Sequence, residues 1–123
     1  MSSFSNRTLA KDAVCIVIPV HNRKVITLGC LQRLKSLGVL QQYSVVVVDD
    51  GSTDGTSAAI RKSYPDVVLL HGDGNLWWTG AIKLGMEYAY SHGCNFIVWL
   101  NDDCHVEHRQ TIVELVATAC SIP

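Results

Sequence analysis

Charge of one sign, long apolar runs and paired-cysteine motifs are all scarce in this 123-residue sequence, and each scarcity closes off a class of function. Lysine and arginine number 10 against 11 aspartates and glutamates, a formal net charge of −1. No basic field invites nucleic acid and no acidic tail forms a solvating segment, so generic polyanion binding is disfavoured. The longest apolar runs, CIVIPV, VVVV and FIVWL, fall well short of the ~20 residues a membrane-spanning helix needs. The N-terminal MSSFSNRTLAKD lacks an apolar signal core. The expectation is a soluble, cytoplasmic chain with no transmembrane segment.

Five cysteines, Cys15, Cys30, Cys94, Cys104 and Cys120, form no CxxC pair, and three lie inside apolar segments where a thiol behaves as a small hydrophobe. Reduced, structural thiols are expected. Cys104, His105 and His108 match none of the usual zinc spacings and have no evident fourth ligand. Neither GxGxxG nor GxxxxGK[ST] occurs, so phosphate must be held by other means, through a metal. No Ser, His, Asp ordering or nucleophile elbow supports covalent hydrolysis.

What is present suits one compact domain over residues 13–123, preceded by a polar tail at 1–12. Apolar strands at Val14 to Val20, Ser44 to Asp49, Val67 to Leu70 and Asn95 to Leu100 alternate with helical patterns. The first helix carries Leu28, Leu31, Leu34 and Leu37 toward a sheet and stops at Gly38. A short helix over Thr56 to Ser63 turns Ala58, Ala59 and Ile60 inward. A third, starting at Thr79, buries Ile82, Met86, Ala89 and Tyr90; a last, Gln110 to Cys120, buries Ile112, Leu115, Val116 and Ala119. Continuous apolar strands alternating with amphipathic helices predict an α/β fold: a doubly wound, mainly parallel sheet of about four strands, helices on both faces.

The most informative run is VVVVDDGSTDGT, residues 45–56, where an apolar strand ends in two carboxylates and a glycine-punctuated turn. Two readings are open: a polar ligand site at a strand's carboxyl end, or an ordinary turn and capped helix with Asp54 as a cap. Four polar segments fall at strand ends: His21 to Arg23, Asp49 to Asp54, Asp73 to Gly80 and Asn101 to Asp103. In doubly wound sheets such ends converge on one ligand-binding edge. Asp49 is suited to hydrogen bonds from a base or ribose. Asp102 and Asp103 are hard oxygen ligands suited to Mg²⁺ or Mn²⁺ beside a diphosphate, or else belong to a helix cap. Of the adjacent Trp77 and Trp78, one is expected in the core and one facing the site; Trp99, in a strand, is expected in the core.

CIVIPVHNR, VVVVDDGSTDGT, GNLWWTGAIKLGMEYA and FIVWLNDDCHV, in this order, resemble the nucleotide-sugar-binding half of a family 2 glycosyltransferase with the GT-A fold, over residues 13–120. The NLWWTGA variant is most similar to bacterial rhamnosyltransferase-like members. The resemblance implies that Pro19, His21, Asn22, Arg23, Asp49 and Asp50 frame the uracil or thymine base and ribose of a UDP- or dTDP-sugar. It implies that Asn75, Trp78 and Gly80 lie beside the donor. Asn101, Asp102 and Asp103 match the family's DXD motif, with Asn101 in the first acidic position and Asp103 the direct ligand of Mn²⁺ or Mg²⁺. His21 either approaches the diphosphate or bonds the backbone; Lys83 either contacts phosphate or sits on a solvated helix face.

The resemblance further implies inverting transfer to the hydroxyl of a saccharide or lipid-linked acceptor, assisted by a carboxylate base. In the family that base follows the DXD strand in the C-terminal half, so the chain is expected to bind donor without efficient transfer. The uncovered sheet edge is expected to favour a homo-oligomer. A non-catalytic nucleotide-sugar-binding module and a nucleotidyltransferase are the alternatives; the glycine-free PVHNRK argues against the latter.

Overall fold

The computed structural model describes residues 13–121, with side chains as far as residue 117. The expectations for the tail at 1–12, for Ala119 and for the Cys120 thiol lie outside these. Four strands, β1 (Val14–Val20), β2 (Ser44–Asp50), β3 (Val68–Gly72) and β4 (Phe96–Trp99), form one sheet in the order β3-β2-β1-β4, with every pairing parallel. Helices α1 (Lys24–Ser36), α2 (Val39–Gln42), α3 (Thr56–Ser63), α4 (Trp77–Ser91) and α5 (Arg109–Ser121) connect and cover them. None of these helices is long and apolar enough to cross a membrane, among the described residues.

Strand periodicity divides the core in two. Val14, Ile16, Ile18 and Val20 of β1, with Val45 and Val47 of β2, face a large cluster completed by Leu31 and Leu34 of α1, Ile60 of α3, and Ile112 and Val116 of α5. Val17, Val46 and Val48 point the opposite way and meet Ala81 and Ile82 of α4. The sheet is thus covered on both faces, unequally, with α4 alone on one side among the described residues. Its approach is close: a Cβ placed on Gly85 would lie 2.3 Å from Val17 Cγ1. Only glycine lets the helix sit there.

That close packing corrects several expectations. The buried face of α4 is Ala81, Ile82, Gly85 and Ala89, while Met86 and Tyr90 are exposed. Small residues bring the helix axis near the sheet, and the larger apolar side chains are left pointing out. Ala58 and Leu115 are likewise exposed, as each lies beside rather than on its helix's buried stripe. Trp99 stands half exposed because β4 is an edge strand with no neighbour beyond it among the described residues.

The expectation of reduced thiols fails at one pair, since Cys15 and Cys94 form a disulfide with Cα atoms 6.4 Å apart. Asn95 N–H donates to Ala13 O at 2.8 Å, which brings the residue before β4 level with the start of β1. Two segments 79 residues apart become neighbours only through the sheet order. Cys30 remains a buried free thiol and Cys104 an exposed one.

Candidate nucleotide-sugar site

The strand order reverses direction at β1, which has β2 and β3 on one side and β4 on the other. A parallel sheet opens a crevice beyond its carboxyl ends at such a point, because the connections leave in opposite directions. Register brings the ends of β2 and β3 level with that of β1, Val20 pairing with Asp49 and Asp50 with Gly72, while β4 stops at Trp99 opposite Val17, short of the others. A cleft of about 390 Å³ opens there, lined by Pro19, His21, Arg23, Asp50, Gly74, Trp77, Trp78, Asn101, Asp102 and Asp103, among others. A hollow of about 550 Å³ lies across Asp102 and Asp103, along α1 and toward Cys104 and His105; no β1 or β2 residue reaches it. The cleft at the strand ends is the better candidate.

Asp50 organises one wall. Asp50 is 5 % exposed and has no cationic partner among the described residues: Oδ1 accepts the Gly74 N–H at 2.7 Å, and Oδ2 accepts those of Leu76 at 3.0 Å and Trp77 at 3.1 Å. A buried carboxylate is stable without a counter-ion only when backbone donors replace its water. The same bonds start α4 at Trp77, two residues before the expected Thr79, and hold Trp77 at φ 58°, a left-handed conformation unusual for a bulky residue. Gly51, at φ 69°, turns the chain after Asp50 so tightly that a Cβ there would meet Gly74 Cα at 2.7 Å.

The neighbouring Asp49 is turned into the fold. Its oxygens accept the Ser52 N–H at 3.0 Å and the Ser57 hydroxyl, and it does not line the cleft. Asp54 acts as a cap, accepting the Lys24 N–H at 3.0 Å and both the N–H and hydroxyl of Thr56. His21 Nδ1 donates to the Asp50 carbonyl oxygen at 2.5 Å; since a carbonyl only accepts, the proton sits on Nδ1. Asn22, at φ 50°, clasps the loop after β2 by donating its N–H to Ser52 Oγ and accepting the Thr53 N–H.

The opposite wall is acidic. Asp102 is 5 % exposed, accepts the Thr27 hydroxyl at 3.1 Å on Oδ2, and pairs through Oδ1 with Arg23 Nη1 at 3.3 Å. Asp103 faces solvent and, among the described residues, meets only Arg23 Nη2, at 3.5 Å. Asn101 Oδ1 accepts the Trp78 indole N–H at 3.0 Å, and Trp78 packs edge-on against Trp99 with ring centroids 5.7 Å apart. Neither Trp77 nor Trp78 enters the core: both stand at the cleft, held by Asp50 and Asn101 respectively.

Of the residues singled out from the sequence, Pro19, His21, Arg23, Asp50, Trp78, Asn101, Asp102 and Asp103 meet in this cleft. Asn22, Asp49, Asn75, Gly80 and Lys83 do not line it. Asn75 donates its N–H to Asp73, Gly80 packs on Leu76, and Lys83 is on the exposed side of α4. Thr27 was not singled out. Its signal was a small polar residue on an otherwise apolar helix face, where burial demands a partner.

Among the described residues no three His, Cys, Asp or Glu side chains converge as a preformed metal cage. A hard divalent cation does not need one, because Mg²⁺ and Mn²⁺ are held through one or two carboxylates with phosphate oxygens and water completing the shell. Asp103 offers an exposed carboxylate for this role. Asn101 Oδ1 keeps a second lone pair beside the one given to Trp78.

Two tests of this geometry follow directly. Asp50→Ala leaves three backbone donors without their acceptor, and is expected to lower stability by about 2–4 kcal/mol in urea titration. Amide exchange should accelerate at Gly74, Leu76 and Trp77; unchanged exchange there would refute the role given to Asp50. Burial pushes the Asp102 carboxyl above the usual carboxylate range, opposed only in part by Arg23 and Thr27. The folded chain therefore holds that proton more tightly than the unfolded one. Stability from Asp102 is greatest below the unfolded value and declines as pH rises through the folded one. The Thr56 hydroxyl bond lowers Asp54 in the opposite direction, so its contribution is lost as pH falls. Carboxyl ¹³C titration should find Asp102 protonating at higher pH than Asp54; the reverse order would mean that the Arg23 pair outweighs burial.

Solved structures of similar fold include the mannosyltransferase PcManGT from Pyrobaculum calidifontis in complex with GDP-Man and Mn²⁺, with a TM-score of 0.70 and 23 % identity over 85 % of this chain. TarS of S. aureus superposes with a TM-score of 0.69 and 19 % identity, also over 85 % of this chain. The chain spans 31 % of the first and 19 % of the second. At these identities the likeness establishes a shared GT-A, Rossmann-like α/β fold. The sequence model of glycosyl transferase family 2 matches residues 15–122, nearly the whole chain, and the chain belongs to that family.

Proposed function

We propose that this chain holds the nucleotide-sugar donor of a glycosyltransferase, a UDP- or dTDP-linked sugar, with Mn²⁺ or Mg²⁺ against its diphosphate. Transfer is to a hydroxyl of a saccharide or lipid-linked acceptor, with inversion. The observation that carries this reading is the charge inventory of the cleft. Three carboxylates, Asp50, Asp102 and Asp103, line it against one guanidinium, Arg23, and the imidazole of His21.

A diphosphate ordinarily finds its donors at a helix N-terminus. Here the Leu76 and Trp77 amides at the start of α4 are already spent on Asp50. An anion entering this cleft meets net negative charge, so a divalent cation on the Asp103 side supplies the neutralisation that a diphosphate leaving group needs. Asn101 and Asp103 would hold it. Asp102 stays behind them, tied to Thr27, and orients the turn. Pro19 and His21 leave room beyond β1 for the nucleoside, and Trp78 presents an aromatic surface beside it. The base that deprotonates the acceptor is assigned to no residue of this chain.

The support from relatives is consistent with this and coarser. PcManGT is described with GDP-Man and Mn²⁺, a purine nucleotide, whereas the reading for this chain is a pyrimidine one. Calorimetry with UDP, dTDP and GDP, each with and without Mn²⁺, separates these. UDP or dTDP is expected to bind only with metal. Asp103→Ala should weaken that binding by about 10- to 100-fold, as expected for a lost interaction with a charged group. Metal-independent binding, or none with any of the three nucleotides, would refute the proposal.

A further inference from the structure

Among the described residues, Arg23 alone pairs with two carboxylates. It follows β1, forms the N-cap position of α1 and spans both acidic side chains, Nη1 on Asp102 at 3.3 Å and Nη2 on Asp103 at 3.5 Å. The two contacts are unequal in kind. Asp102 is buried and has a second partner in Thr27, so it is a fixed anchor; Asp103 is 57 % exposed and has no other partner among the described residues. The Arg23 side chain is 42 % exposed and lines the cleft. At 3.5 Å the outer contact is long for a charge-assisted bond, and a solvated pair of this kind contributes little net stability.

We propose that Arg23 is an exchangeable counter-ion: it neutralises Asp103 until a divalent cation arrives, then yields that carboxylate and turns its freed Nη2 to the donor's diphosphate while Nη1 keeps its hold on Asp102. This deepens the reading of the cleft as a nucleotide-sugar site and rests on it. The motion required is small, because Asp102 acts as the pivot and the side chain already faces the cleft. Arginine suits the task, since its planar fork can hold a carboxylate with one edge and a phosphate oxygen with the other. In this arrangement Arg23 opposes metal binding when no donor is present and favours donor binding once the metal is in place. It is a positioning and coupling residue.

Opposite signs are the signature. Arg23→Gln is expected to bind Mn²⁺ alone at least about fivefold more tightly than the wild type, read from the loss of the free-Mn²⁺ EPR signal. At saturating Mn²⁺ it should bind UDP at least about fivefold more weakly, at the lower end of the 5- to 150-fold range usual for coupled sites. Arg23→Lys, which makes one contact at a time, should lie between. A residue that merely supports the fold would weaken both. If Arg23→Gln shifts both affinities the same way, or neither, while the wild type binds UDP with metal, this inference fails and the functional reading stands. If the wild type binds no nucleotide with metal, both fail. A measurement on the unmodified chain guards against a misfolded variant: Mg²⁺ without nucleotide should shift the Asp103 carboxyl ¹³C signal and speed hydrogen exchange at Arg23 Nη2 while Nη1 stays protected. Unchanged exchange at Nη2, or equal loss of protection at both nitrogens, would overturn the proposal.

Discussion

A single buried carboxylate, Asp50, holds the ligand face of this domain together. It ends β2, and its two oxygens collect the backbone N–H groups of Gly74, Leu76 and Trp77. Those three bonds fix where the loop after β3 turns, where α4 begins, and so where Trp77 and Trp78 stand. His21 reaches the Asp50 carbonyl from the end of β1, tying the third side of the same corner. Because the carboxylate is desolvated, each amide is needed in place of lost water, and the loop cannot move without exposing the others to the same loss.

This constraint has an electrostatic consequence for function. A helix start that caps an internal aspartate is no longer free to receive a phosphate, so on the proposed reading an anion would be neutralised across the cleft, at the end of β4. There the structure sets a buried Asp102 and an exposed Asp103 side by side, with Arg23 bridging them. One carboxylate is committed to the fold through Thr27, and the other is left for exchange. Division of labour between neighbouring acidic residues thus follows from burial alone, without any difference in residue type.

Much of this was legible in the sequence. Uninterrupted apolar strands alternating with helices required a covered parallel sheet, and the polar residues after each strand then had to share one edge. The parts that were not legible depend on distance through space. Asp49 and Asp50 are adjacent and chemically identical, and only the pleat decides that one turns to Ser52 and Ser57 and the other to the cleft. The start of α4 is set by Asp50 from another strand, so a start at Thr79, read from local sequence, falls two residues too late. Large, partly apolar side chains such as Met86 and Tyr90 invite burial, yet α4 packs through Ala81, Gly85 and Ala89 because closeness to Val17 favours small residues. The Cys15–Cys94 pairing needs the sheet order, which periodicity does not contain.

The claim at the centre of this account is that the cleft between the ends of β1 and β4 is where a metal-bound nucleotide sits. Paramagnetic broadening by Mn²⁺ in the presence of UDP tests it most directly, since the effect falls off steeply with distance from the ion. The amide signals of Arg23, Asn101, Asp102 and Asp103 should broaden first, while those of α2, Val39–Gln42, remain sharp. Broadening centred elsewhere, or confined to the hollow beside Cys104 and His105 without any effect at Arg23, would contradict it.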